Sequence, residues 1–187
     1  MSKKGIYLSI GALQAKAIRD ILTAGYKVIA YEPEKRAFVD YQSLKKSQPI
    51  IYREFTCFNQ AVSSYEGTAT LQISGGGDGG NSTILKNPIK HYDEYTVKVV
   101  SLKSILEPLE EVEIMNINCE GSEIDIILGT PIEFLVKCKS IAIEFHKHHK
   151  MLKQTDEMIQ NCIDKLQKHF EVDDHHTYHP YFEFVRK

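Results

Sequence analysis

The sequence predicts a doubly wound α/β fold, with a mostly parallel sheet and helices on both faces. Three observations carry this expectation. Short apolar runs alternate with helical-period segments over the first sixty residues, the same rhythm resumes near residue 113, and polar residues stand just after five of the predicted strands. Strand–helix alternation of this kind builds parallel crossovers, and open α/β sheets bind ligands beyond the carboxyl ends of their strands. A chain of 187 residues suits one compact domain, taken as residues 1–187.

The elements follow in order. Residues 6–10 form an apolar run that ends at Gly11, which reads as a buried strand. Ala15, Ile18, Ile21 and Leu22 repeat at helical spacing up to Gly25. Residues 27–31 make a second strand, a helix begins near Pro33 and runs to about Lys46, and residues 50–58 are rich enough in β-formers to predict a third strand. The middle of the chain differs. Residues 68–73 and 94–100 alternate like strands around the glycine cluster at 75–80, predicting a hairpin-like excursion over about 66–100. That cluster lacks a following Lys-Ser/Thr and is no phosphate-binding Walker loop. The α/β rhythm then returns with a strand at 113–118, a helix at 122–128 closed by Gly129, and a strand at 140–145. Ile159, Cys162, Ile163 and Leu166 form one stripe of a helix capped near Thr155, and residues 170–173 and 181–185 read as a closing antiparallel pair.

Composition narrows the function. With 42% hydrophobic and 26% charged residues and a net charge of −2, the chain has no basic field suited to nucleic acid or acidic membranes. No apolar run reaches the roughly 20 residues of a membrane helix. Lys3-Lys4, the following apolar run and Ala15-Lys16-Ala17 have the outline of a secretory signal, but Ser9, Gly11 and Gln14 interrupt it, so the segment reads as the first strand. Cys57, Cys119, Cys138 and Cys162 show neither C-x-x-C nor zinc spacing, which fits reduced thiols in a cytoplasmic protein. His146, His148 and His149, and then His175, His176 and His179, lack familiar helical ligand spacing, and no metal is expected.

The residues after each strand are the ones to examine. Gly11 opens the first strand-to-helix turn, but only the first glycine of G-x-G-x-x-G is present, which counts against NAD. Glu32, about 20 residues further on, is placed to accept hydrogen bonds from a ribose diol. Asn59-Gln60-Ala61-Val62 follow the third strand, Asn118-Cys119-Glu120-Gly121-Ser122-Glu123 the fourth, and Glu144-Phe145-His146 the fifth.

These segments resemble the FkbM family. Ile10-Gly11-Ala12, Tyr31-Glu32-Pro33, Asn59-Gln60-Ala61-Val62, Gly67, Ser101-Leu102, Glu120-Gly121-Ser122-Glu123, Leu128-Gly129 and Ile143-Glu144-Phe145-His146 occur in the family's order and at similar spacing over nearly the whole chain. The resemblance implies a Rossmann-like class I methyltransferase fold with a seven-stranded sheet and an antiparallel last strand. It implies S-adenosylmethionine as cofactor, held by Gly11, Ala12, Glu32, Asn59, Ala61 and Asn118, and usually O-methylation of a sugar or other small hydroxylated molecule. The departures are specific. Ser9 stands where the family has an acid, Leu13 where it has Asn, and Ala15 where it has the second Gly. Lys103 replaces an Asp, and Asn116 and Asn118 replace a Lys and an Asp.

Methyl transfer to an alcohol needs the acceptor oxygen held in line and a base within reach of its proton. His146 and Glu120 are the candidate bases, with Glu144 as base or as orienter of the histidine, since a histidine titrating near neutrality suits the task. Residues 75–82 are placed to act as a glycine-hinged lid over the acceptor. The expected partner is a small hydroxylated acceptor, a glycan in the first instance, in an enzyme that either stands alone or oligomerises. The acceptor is then read by the excursion, the C-terminal loops or a partner subunit. The rival reading is a non-catalytic binding module with its cofactor pocket eroded at Ser9, Leu13, Ala15 and Asn118.

Overall fold

The computed structural model describes residues 4–11, 15–73, 82–84, 93–146, 154–173 and 181–187. Its main sheet has seven strands in the order β10-β11-β9-β8-β1-β2-β3: β1 (Ile6–Ile10), β2 (Lys27–Tyr31), β3 (Phe55–Phe58), β8 (Val112–Ile117), β9 (Cys138–Glu144), β10 (Phe170–Asp173) and β11 (Tyr181–Arg186). The first five of these pair in parallel, and β11 lies antiparallel between β9 and β10. The doubly wound sheet and its closing antiparallel pair are as the sequence predicts.

Side-chain alternation divides the core between the two faces of the sheet. Leu8, Ile10, Met115, Ile117, Ile141 and Ile143 are buried on one face against α3 (Leu102–Leu106), α4 (Glu123–Gly129), α5 (Ile132–Leu135) and α6 (Asp156–Gln167). On the other face Val28, Ala30 and Phe55 pack with Ile18 of α1 (Ala15–Thr23) and Tyr41 of α2 (Lys35–Ser47). Thr155 caps α6 as expected, its hydroxyl accepting the Met158 N–H at 3.2 Å. Ser101 does the same for α3, accepting the Ser104 N–H at 3.1 Å.

Two local expectations are corrected. The apolar residues 50–58 are not one strand: Ile51–Glu54 is a 3₁₀ turn, and only Phe55–Phe58 joins the sheet. The Ile51 and Tyr52 N–H groups both donate to the Gln48 carbonyl, and Tyr52 turns inward against Phe55, so packing overrides β propensity. Gly129 is not a left-handed cap. It is the last residue of α4, and a Cβ there would lie 2.3 Å from the Ser64 Cβ, so its small size permits close packing of the helix.

The excursion is larger than a hairpin. β5 (Gly67–Ile73) and β7 (Asp93–Ser101) pair antiparallel, from Gly67 opposite Val99 to Ile73 opposite Asp93. β4 (Ala61–Ser63) and β6 (Ser82–Thr83) extend this pair into a separate sheet of order β4-β7-β5-β6, with its own core of Ala61, Leu71, Val97 and Val99. Among the described residues, no helix is long and apolar enough to cross a membrane.

Candidate functional site

The chain turns back at β1: β2 and β3 lie to one side of it, and β8 and β9 to the other. At such a switch point the carboxyl ends of adjacent strands diverge and leave a crevice. A pocket of ≈ 630 Å³, counting space open to solvent, lies there. Its walls are the end of β1 (Ile10, Gly11), the turn after β2 (Tyr31, Glu32, Pro33), and the turn after β8 (Asn118, Cys119, Glu120, Ser122). Ala61 and Val62 of β4, Leu71 of β5, and Ser82 with Ile84 bring the second sheet to the same pocket.

Gly11 is required here by the backbone. Its φ is +95°, and a Cβ would lie 1.7 Å from the Asn118 carbonyl oxygen. The close approach holds the ends of β1 and β8 together, helped by the Asn118 N–H donating to Ile10 and the Gly11 N–H donating to Tyr31. Ser9 is fully buried, and its hydroxyl donates to the Gly11 carbonyl at 3.1 Å, so it braces the turn from within and does not line the pocket. Ala12 and Leu13 lie outside the described residues.

Glu32 is held from three sides. Its own N–H donates to Phe58, its Oε1 accepts the Glu34 N–H at 2.7 Å, and the Asn59 amide donates to the carbonyls of Glu32 and Pro33. Asn59 therefore clamps the turn that presents Glu32 and is not on the pocket wall. The Glu32 carboxyl is 4% exposed, and its pKa is raised to about 7. Burial is the chief cause; the Glu34 N–H pulls the other way, and the Glu34 carboxylate adds to the rise.

After β8 the chain makes a tight left-handed turn through Glu120 (φ +55°) and Gly121 (φ +114°). A non-glycine residue there costs about 1–2 kcal/mol, and strain of this kind concentrates at functional sites. The turn carries Glu120 to the pocket wall and Glu123 inward. Glu123 Oε1 accepts the N–H groups of Cys119 (3.0 Å) and Gly121 (3.2 Å), and its Oε2 accepts from Gln154 (3.2 Å). His146, just beyond β9, bridges the two acids: Nδ1 is 2.8 Å from Glu123 Oε1, and Nε2 is 3.4 Å from Glu120 Oε1.

This bridge changes the role expected of the histidine. Burial disfavours the imidazolium, but the two glutamates outweigh it and raise the His146 pKa to about 10. Burial likewise opposes ionisation of Glu123, yet His146 and the backbone donors hold its pKa below the ordinary value. At neutral pH His146 already carries its proton and cannot act as the base. Glu144 does not orient the histidine either, because its Oε2 accepts from Asn118 Nδ2 at 2.7 Å. The Cys119 thiol is kept neutral, its pKa pushed well up by burial and then by the Glu123 carboxylate. Residues 75–81 of the expected lid, and His148, His149, His175, His176 and His179, lie outside the described residues. Among the described residues, no cluster of three or more His, Cys, Asp or Glu could hold a metal ion.

Sequence reasoning does not single out Ile10, Tyr31, Pro33, Val62, Leu71, Ile84, Cys119 or Ser122 as site residues, and it places Ser82 in the expected acceptor lid. Tyr31, Pro33, Val62 and Ser122 flank residues it chose. Nothing local marks Leu71 or Ile84, which reach the pocket only because the second sheet folds against it.

The sheet order, the antiparallel β11 and the pocket at the β1/β8 switch point define a Rossmann-like fold of the class I methyltransferase type. Residues 9–172 match the family described as the methyltransferase FkbM domain, and the chain belongs to that family. It resembles the crystal structure of methyltransferase FkbM from Methylobacillus flagellatus KT with a TM-score of 0.58 and 13% identity, over 99% of this chain and 45% of the other. The chain thus spans under half the length of that relative. An rRNA methylase from Streptococcus thermophilus aligns with a TM-score of 0.51 and 11% identity, over 98% of this chain and 87% of its own. No curated protein sequence matches the chain.

Proposed function

We propose that this protein is an S-adenosylmethionine-dependent O-methyltransferase acting on a small hydroxylated acceptor, a glycan in the first instance. The observation that carries the reading is Glu32: a buried carboxyl beyond β2, on the wall of a pocket that begins at the Gly11 turn, in a chain of a methyltransferase family. The donor set fits the cofactor. Glu32 Oε1 accepts the Glu34 N–H, and the residue lines the pocket, so its carboxylate can accept from a ribose diol. The hydroxyls of Ser82 and Ser122 are buried on the same walls without a partner. Glu32 would hold the ribose, Ala61 and Val62 would pack against the base, and Gly11 and Asn118 would border the amino-acid end. When bound, the cofactor supplies an electrophilic methyl group on a sulfonium.

The chain itself must position the acceptor, exclude water and take up a proton. Of the three candidate groups, Glu120 is the one on the pocket wall. Its carboxylate would take up the proton of the acceptor's hydroxyl and release it to solvent. His146, held as a cation between Glu120 and Glu123, keeps the Glu120 carboxylate in place. Glu144 fixes the Asn118 amide, so that Asn118 replaces the family's acid as a neutral contact.

Calorimetric titration of S-adenosylmethionine and S-adenosylhomocysteine tests the first half of this reading. Micromolar binding that Glu32→Ala abolishes without unfolding the chain is expected. No binding at millimolar ligand favours a binding module with an eroded pocket. Transfer of labelled methyl to a panel of sugars then tests the acceptor class. An undiminished rate in Glu120→Gln would remove that residue from the mechanism.

A further inference from the structure

Buried polar groups in folded proteins almost always find a hydrogen-bond partner. Among the described residues, three fully buried side-chain atoms lack one: Ser82 Oγ, Ser122 Oγ and Gln154 Oε1. Two of the three belong to residues that line the same pocket, and they come from different parts of the fold. Ser82 belongs to β6 of the second sheet, while Ser122 stands between β8 and α4 of the main sheet.

Ser122 has an evident alternative use that it does not take. It occupies the cap position of α4, where a serine hydroxyl ordinarily accepts a backbone N–H. Its backbone is helical there and its side chain makes no cap hydrogen bond. The neighbouring Cys119 and Gly121 N–H groups are taken by the Glu123 carboxylate. The hydroxyl is left without a partner in a pocket-lining residue that is only 1% exposed. A buried hydroxyl with no partner costs about 1–3 kcal/mol, so a ligand that supplies the partner recovers this energy.

We propose that Ser82 and Ser122 are ligand-binding residues of this pocket, each forming a hydrogen bond to the polar groups of S-adenosylmethionine. The second sheet is then a wall of the cofactor site, closing over the molecule with Leu71 and Ile84 as apolar contacts and Ser82 as the polar one. This differs from a lid over the acceptor alone: residues beyond β3 recognise the cofactor before any acceptor arrives. The inference rests on the proposed cofactor. Both hydroxyls can donate or accept, which suits a ligand bearing hydroxyl, ammonium and carboxylate groups together.

The test is titration of S-adenosylhomocysteine, with no acceptor present, into the wild type, Ser82→Ala, Ser122→Ala and the double variant. Thermal unfolding of each ligand-free protein is measured alongside. Each single variant is expected to weaken binding about 5–10-fold, the range of one neutral hydrogen bond with its desolvation, and the double variant more than either. The ligand-free variants should melt no lower than the wild type, because alanine removes a hydroxyl that has no partner. Wild-type affinity in both single variants would overturn the proposal while leaving the cofactor assignment intact. A wild type that binds no S-adenosylhomocysteine would overturn both. Weaker binding accompanied by lower melting temperatures would show a structural role for the hydroxyls and overturn the proposal as well.

Discussion

Glu32→Gln should make the ligand-free protein more stable and the cofactor site weaker at the same time. The reasoning starts from burial. The carboxyl is raised from 4.5 to about 7, chiefly because its charged form is poorly solvated. In the unfolded chain the group ionises near its ordinary value, so between pH 4.5 and 7 the unfolded state has lost a proton that the folded state keeps. Stability therefore falls across that window and is lowest above it. The full difference, about 2.5 pKa units, corresponds to about 3 kcal/mol. Glutamine retains an oxygen that can accept the Glu34 N–H but adds an amide N–H₂ without an assigned acceptor, which takes back about 1 kcal/mol. The net gain of about 2 kcal/mol predicts a melting temperature higher by about 4–8 °C at pH 8 and no gain at pH 4.5. The assay is thermal unfolding of both proteins from pH 4.5 to 8.5, with titration of S-adenosylhomocysteine at pH 8. Affinity should drop at least tenfold. Equal melting temperatures at pH 8, or a difference that does not change with pH, would refute the claim that Glu32 is held under strain for binding.

The remaining predictions concern the turns that shape the pocket. Gly11→Ala should destabilise by at least about 2–3 kcal/mol, since its Cβ would meet the Asn118 carbonyl and its φ is positive; denaturant unfolding checks this, and an unchanged midpoint would mean that β1 and β8 separate freely. His146→Gln should cost about 3 kcal/mol at pH 7 by leaving Glu123 buried without its cation. The histidine's raised pKa gives a stabilisation fully present below pH 6.5 and lost as pH rises through about 10. Wild-type stability should thus fall more steeply than the variant's between about pH 6.5 and 10, the buried thiols contributing equally to both above pH 9. Gly129→Ala should lower the melting temperature despite alanine's better helix propensity, because Ser64 occupies the space its Cβ needs; a higher melting temperature would show that β4 yields.

Much of the main sheet is legible in the sequence because its strands announce themselves locally. Buried parallel strands read as short apolar runs, and the helices between them carry one apolar stripe. The residues at the strand ends follow from topology, which is why Gly11, Glu32, Asn118 and Glu120 could be named and are found lining one pocket. The tertiary structure alone decides three other matters. It brings the second sheet against the pocket, a contact between residues far apart in the chain that no local pattern encodes. It turns residues 51–54 into a 3₁₀ element, since the burial of Tyr52 outweighs β propensity there. It also sets the charge of His146, because a histidine's protonation depends on what surrounds it, and only the fold places Glu120 and Glu123 on its two ring nitrogens.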